Sequence, residues 1–240
     1  MIVKYDFHIH TALSPCALEE MTPNNIVNMA RVSKLDAIAV TDHNSCGNVK
    51  PVLTVAEGTD LVVLPGMEIE SREEIHILCL FANIDTVYKM NEFVYNDFTM
   101  LKNKPKVLGN QLLFDEEDVI IGEEDRLLSF ATTLTFEEII SRSWELGGIA
   151  IPAHIDRPSY SVISNLGMLP PNDLLTCLEV SQYADYQDYK DKYKNYHMLQ
   201  SSDSHELGFI GVCNQTLDIP LKERETLSSE AIIRYLRNKR

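Results

Sequence analysis

The stretch Ile2-Val3-Lys4-Tyr5-Asp6-Phe7-His8-Ile9-His10 decides how the rest of the chain is read. Residues 2–7 are rich in β-branched and aromatic side chains, which suit a pleated, half-buried surface. The strand they form runs straight into a His-x-His pair. Alternate residues of a strand share a face, so His8 and His10 point the same way from its carboxyl end. Working outward, the pattern recurs. Residues 36–41 (Asp-Ala-Ile-Ala-Val-Thr) lead to Asp42-His43, residues 61–68 close on Glu68, and residues 149–153 precede His154. Residues 198–202 lead to Asp203-Ser204-His205, with the alternate spacing repeated. Residues 75–81 and 177–181 complete seven apolar strands.

Helices fall between the strands. Thr22 is a cap residue followed by Pro23, a good first helical residue, and opens a helix to about Lys34. Thr135 and Glu138 form a capping box for a helix that stops at Gly147-Gly148, and Ser228 and Ser229 cap a last helix through Leu236. Apolar strands alternating with helices imply a parallel sheet covered on both faces. Seven such strands suit a closed or nearly closed α/β barrel, whose carboxyl ends converge on one mouth where active sites lie. The whole of residues 1–240 is expected to be a single domain. Residues 85–134 interrupt the alternation, and 112–114 and 119–121, around an acidic turn, read as a hairpin. An inserted subdomain is expected there, either capping the mouth or making a loop excursion.

The chain has 240 residues, 45% hydrophobic and 24% charged, which is ordinary for a soluble globular protein. No basic segment followed by an apolar run opens it, and no apolar run approaches membrane-spanning length. Five scattered cysteines, an odd number, argue against a disulfide framework and for a reducing cytoplasm. A formal net charge of −15 argues against a general binder of duplex nucleic acid. It does not exclude a phosphate substrate, because bound divalent metals reverse the local field.

Imidazole with carboxylate suits zinc, manganese or iron. His-x-His alone is weak, but six of the seven histidines fall in the motif segments. His197 opens the last strand at its other end and reads as structural. His76 stands early in its strand, and on spacing alone it could be a core histidine. Ser14, Ser45 and Ser204 lie near these motifs, but none forms a G-x-S-x-G elbow. No glycine-rich phosphate loop is present.

Taken together, Asp-Phe-His-Ile-His-Thr, Ala-Val-Thr-Asp-His-Asn, Pro-Gly-Met-Glu-Ile-Glu, His-Ile-Leu-Cys-Leu-Phe, Pro-Ala-His-Ile-Asp and Ser-Ser-Asp-Ser-His-Glu resemble, in that order, the successive motifs of PHP (polymerase and histidinol phosphatase) domain phosphoesterases. The resemblance runs from Tyr5 to about Gly211, apart from the insertion. It implies a distorted (β/α)7 TIM-like barrel with two or three divalent ions (Zn, Mn or Fe). Carried over by motif, His8, His10, Glu68 and Asp203 would hold one ion. Glu68 would bridge to a second, held also by His76 and His154, and His43 and His205 would hold a third. Asp42 would orient an imidazole from behind. The chain departs from the family pattern after His10. Pro15 stands where many members carry an acid or histidine for the third ion, so Cys16, Glu19 or Glu20 would have to substitute. Cys16 is equally readable as a small buried hydrophobe.

The resemblance further implies a hydrolase whose nucleophile is water with its pKa lowered by metal toward about 7. His205 is the expected general acid, with water on the third ion as the alternative. Arg157, three residues past His154, could fork onto a phosphate or form a surface ion pair, and Asn44 is a weaker candidate for a substrate contact. The expected substrate is a small phosphomonoester such as a nucleotide or histidinol phosphate. Alternatives are cleavage at short oligonucleotide ends, an amidohydrolase (which usually needs a lysine at a strand end, absent here), and a metal-binding regulatory module without catalysis.

Overall fold

The structure, a computed structural model, describes residues 1–97 and 101–238. β1 (Ile2–Ile9), α1 (Pro23–Val32), β2 (Ala37–Val40), α2 (Val49–Ala56) and β3 (Val62–Glu70) form two strand–helix–strand units with β1, β2 and β3 parallel and adjacent. β4 (His76–Leu80) and α3 (Ile84–Asn96) follow. Then come a short helix α4 (Pro105–Leu108) and a hairpin of β5 (Leu112–Phe114) and β6 (Ile120–Glu123). α5 (Phe136–Glu145), β7 (Ile149–Pro152), α6 (Val162–Leu166), β8 (Cys177–Val180), α7 (Tyr186–Lys192), β9 (His197–Gln200), β10 (Thr216–Asp218) and α8 (Ser229–Arg237) complete the chain.

All seven expected strands are present, but they are not all parallel. The main sheet runs β10-β1-β2-β3-β4-β7, and β4 lies antiparallel to both β3 and β7. The cause is the length of the link between β3 and β4. Only the turn from Ser71 to Ile75 separates them, too short for a crossover, so the chain must fold back as a hairpin. Ser71 N donates to Ile75 O (2.9 Å) and Glu74 takes φ +58° to close it. β8 and β9 form a separate parallel pair. The expected seven-stranded barrel is therefore a curled sheet plus this pair, joined at the mouth by local contacts. Ile155 N donates to Glu179 O (2.9 Å) on one side, and His10 N and Ser204 N exchange bonds with Ser204 O (2.9 Å) and His8 O (3.1 Å) on the other. β10, which the sequence reading missed, is three residues long and pairs with β1 at Ile2–Lys4.

Successive strand residues divide between two apolar layers. Phe7, Ala37, Ala39, Leu64, Leu78 and Ile151 belong to one buried cluster, closed by Ile232, Ile233 and Leu236 of α8. Ile9, Ile38, Val40, Met67, Ile69 and Ile77 belong to the other, covered by α1, α2, α3 and α5. Each fully buried side chain of this size contributes about 1.5–3 kcal/mol relative to exposure. These two layers fix the strand ends on which the polar cluster is built.

Between α3 and α5 the chain packs against the loops after β1 and β2. Leu112 N donates to Ala12 O (2.8 Å), and Asn48 bonds Leu112 O (2.9 Å) and Phe114 N (3.0 Å). Thr22, expected to cap α1, instead donates its hydroxyl to Asp118 in the β5–β6 turn (2.7 Å). Among the described residues no helix is long and apolar enough to cross a membrane.

Candidate metal centre

The parallel strands β1, β2, β3 and β7, with β9, deliver His8 and His10, His43, Glu68, His154 and Asp203 to one end of the fold. The β3–β4 hairpin explains His76. Because β4 runs backwards, its first residue pairs with Glu70 at the end of β3. An early position in an antiparallel strand is a position at the mouth, which strand spacing alone does not reveal.

Five imidazoles stand around Glu68, which is 1% exposed. His76 Nδ1 is 2.9 Å, His8 Nε2 3.3 Å and His154 Nε2 3.4 Å from Oε1, while His43 Nδ1 is 3.0 Å and His10 Nε2 3.5 Å from Oε2. His8 Nε2 and His10 Nε2 both lie 3.2 Å from Asp203 Oδ1. Yet both Glu68 oxygens, His76 Nδ1 and both His154 nitrogens are buried without a directed hydrogen bond. Buried polar atoms are otherwise almost always paired. Lone pairs that crowd together without pairing are placed for a cation between them, and the donor set of nitrogen and carboxylate is that of zinc, manganese or iron. Among the described residues, three groups of ligand atoms are close enough to share an ion: His8, His10 and Asp203; His43, Glu68 and His76; and His10, His43 and His205.

The electrostatics fit this reading. Burial alone would raise the Glu68 and Asp203 carboxyls, but His76 and His8 hold Glu68, and His8 and His10 hold Asp203, well below the usual carboxylate range. Burial would lower His8, but Asp203, Glu179 and Glu68 hold it well above the ordinary value. His10 is driven well below its ordinary value by burial and by His205 and His43. His43, His76 and His205 are raised against the pull of burial by neighbouring acids and the Cys16 thiol.

Cys16 sits at the solvent edge of the third group. Burial would raise its thiol, but His205 and His43 lower it to about 6. Glu19 is turned away to the insertion, where it accepts from Asn110 Nδ2. Glu20 is exposed, and its backbone carbonyl accepts from Asn25.

Two expectations need correction. Asp42 does not touch an imidazole. It accepts from Thr11 N, Thr11 Oγ1 and Ser14 Oγ, each at 2.7 Å, and Ser14 Oγ in turn lies 2.9 Å from His10 Nδ1. Asp42 thus braces the turn after β1 and reaches His10 only through a hydroxyl. Asn44 is not free for substrate, since its amide bonds Leu128 O (2.7 Å), Phe130 O (3.0 Å) and Glu70 N (3.0 Å). Arg157 Nη1 lies 2.7 Å from Asp203 Oδ2, so its ion-pair partner is itself a member of the cluster. His197 is structural as expected, with Nε2 2.8 Å from Asn238 O and its ring against Tyr235.

The sequence reading missed Glu179. It stands in the middle of the buried strand β8, 1% exposed, and its Oε2 lies 3.0 Å from His8 Nδ1 and 3.2 Å from His154 N. A lone acid in the apolar run Cys-Leu-Glu-Val was the available signal. Glu179 fixes the His8 ring with Nε2 toward the cluster. Together with the Ile155 bond it also holds His154 at φ +29°, a strained conformation for a residue with a Cβ.

The PHP domain model matches residues 6–199, which takes in all but the last of the motif segments. The chain belongs to the PHP domain family. The 5'-3' exoribonuclease Rnm of Escherichia coli is 30% identical over 116 residues, which is 46% of this chain and 38% of that protein. The lesion-specific endonuclease PfuEndoQ of Pyrococcus furiosus is 22% identical with a TM-score of 0.62, over 86% of this chain and 49% of that one. A provisionally assigned metal-dependent phosphoesterase of Bifidobacterium adolescentis is 18% identical with a TM-score of 0.59, over 97% and 94%. This PHP chain therefore spans half or less of the two nucleases, and the low identities of the structural neighbours show shared fold. A structure of endonuclease Q holds a 27-mer duplex with an abasic lesion at its active site, so the fold itself does not enforce the exclusion of duplex inferred above from charge. Two of these relatives are nucleases and the third is described as a metal-dependent phosphoesterase.

Proposed function

We propose that this PHP chain hydrolyses a small phosphomonoester, with two or three divalent ions held by His8, His10, His43, Glu68, His76, His154, Asp203 and His205, and with Cys16 completing the third position. The observation that carries this reading is the unpaired, buried Glu68 carboxylate inside its ring of imidazoles. Removing one partner of a buried charge cluster ordinarily costs about 3–5 kcal/mol, so an uncompensated cluster of this kind is retained for a ligand. Divalent ions bound there would lower the pKa of water and neutralise the charge on phosphoryl oxygens.

The side chains divide the remaining work. Glu68 presents one oxygen to His8, His76 and His154 and the other to His10 and His43, and so spaces the ligand groups. Glu179 and Ser14 fix the rotations of His8 and His10. His205, partly exposed, donates from Nδ1 to the Asp203 carbonyl (2.9 Å), which leaves Nε2 either to hold a third ion or, where only two ions bind, to deliver a proton to a leaving alkoxide. Arg157, about a third exposed, turns from Asp203 to fork onto the substrate phosphate once Asp203 is engaged by a cation. The segment between α3 and α5 packs on the loops after β1 and β2, where it would limit access to a small ester. Attack at oligonucleotide ends is the second reading, favoured by the similarity to Rnm.

The test is phosphate release from a panel of nucleoside monophosphates, histidinol phosphate, a phosphodiester and a short oligonucleotide, with zinc or manganese and with chelator. Metal-dependent release from monoesters supports the reading. Turnover of the oligonucleotide alone would replace it with the second, and no turnover by fully loaded protein would leave a binding module.

A further inference from the structure

Beside the cluster, the segment from His154 to Ser161 places a cation and an aromatic ring three residues apart. Arg157 reaches Asp203. Tyr160 lays its ring on the imidazole of His76, with centroids 4.8 Å apart and planes 28° from parallel. One face of Tyr160 is thus occupied, while the residue remains 46% exposed, so the other face looks outward at the mouth. Its hydroxyl has no hydrogen bond among the described residues, so the ring is not held there by a polar tip.

The presentation is built into the backbone. Tyr160 has φ +55°, a left-handed conformation uncommon for a bulky residue. It is held by His76 N donating to Tyr160 O at 3.0 Å. Asp156 accepts from Ser181 N (2.7 Å) and Ser181 Oγ (2.6 Å), and Ser161 Oγ donates to Arg157 O (2.9 Å). Strain of this sort persists only where surrounding contacts over-determine it. A tyrosine needed merely to fill space would gain nothing from a strained backbone and an open face.

We propose that Tyr160 is a stacking platform for the nucleobase of the substrate, so that the substrate class is a nucleotide with an unpaired base. This rests on the phosphoesterase reading and refines it. The phosphate is taken by the metal cluster and Arg157, and the base lies flat on the outward face of Tyr160. Stacking of a base on an aromatic side chain contributes about 1–3 kcal/mol and tolerates any base, because each has a π-face. A sugar phosphate has no group that can use the platform.

The experiment compares calorimetric binding of adenosine 5'-monophosphate and ribose 5-phosphate to the zinc-loaded chain, for the wild type, Tyr160→Phe and Tyr160→Leu. Leucine keeps an apolar cover on His76 but has no stacking face, and metal content is measured on each sample. The wild type and Tyr160→Phe are expected to prefer the nucleotide by about 5- to 150-fold. In Tyr160→Leu the ratio should collapse toward one with the metal retained. Equal or undetectable binding of both probes by the wild type, or a preference that survives in Tyr160→Leu, overturns the proposal. Loss of metal in both variants also overturns it, by reducing Tyr160 to a brace for His76. Phosphate release is read separately: a nucleotide preference without hydrolysis supports the platform and counts against the phosphoesterase reading.

Discussion

At Glu68, five imidazoles face two oxygens, and none of the contacts is a directed hydrogen bond. Glu68→Gln keeps the shape and removes the charge. It should lower metal content and abolish phosphate release while the circular dichroism stays that of the wild type, and wild-type turnover would show that Glu68 holds no ion. Cys16 makes a second prediction. Its thiol is lowered to about 6, whereas burial pushes Cys46, Cys79, Cys177 and Cys213 up to about 12. Without metal at pH 7, iodoacetamide should label Cys16 far faster than the others, because thiolate is the reactive form. Saturating zinc should suppress that labelling. Peptide mapping that finds Cys16 equally reactive with and without zinc would remove it from the ligand set. Most of the cluster was legible because ligand-type residues at strand ends announce themselves in sequence. Asp42 was misjudged because adjacency to His43 says nothing about direction, and in the fold its oxygens turn to Thr11 and Ser14.

Elements explain what single residues could not. The sequence reading counted β3 and β4 correctly but assumed a common direction. The short link through Ser71 to Ile75 was the overlooked constraint, and it also decides that His76 belongs at the mouth. Glu179 escaped notice for the opposite reason. It lies inside a strand rather than at its end, and a mid-strand position looks inert until a neighbouring strand is placed beside it. Glu179 holds His8 through its side chain and the start of the loop after β7 through both side chain and backbone. Glu179→Ala should weaken metal binding by about 10- to 100-fold, and Glu179→Gln, which can still accept from His8 Nδ1, should weaken it less. Competition with a chromophoric chelator measures both, and unchanged affinity in the alanine variant would make Glu179 a matter of packing alone.

Across the whole molecule, an acidic chain of net charge −15 gathers six of its seven imidazoles at one end of the sheet. Cations bound there would create a local positive field that admits anions. The imidazoles also set a pH dependence. His8, His43, His76 and His205 are raised above their ordinary value of 6.5, so protons compete for the ligand nitrogens at and above that pH. Glu68 and Asp203, lowered, stay ionised and add no slope. Metal affinity should therefore climb as pH rises through 6.5 and above, with protons released on binding. Titration in buffers of different ionisation enthalpy checks this, and a flat profile with no proton release would contradict it. The most direct test of the metal centre itself is the number of ions bound per chain after equilibrium dialysis against zinc or manganese, read by elemental analysis. The account predicts about two or more per chain, falling in Glu68→Gln. Less than about one per chain in the metal-saturated wild type would contradict it.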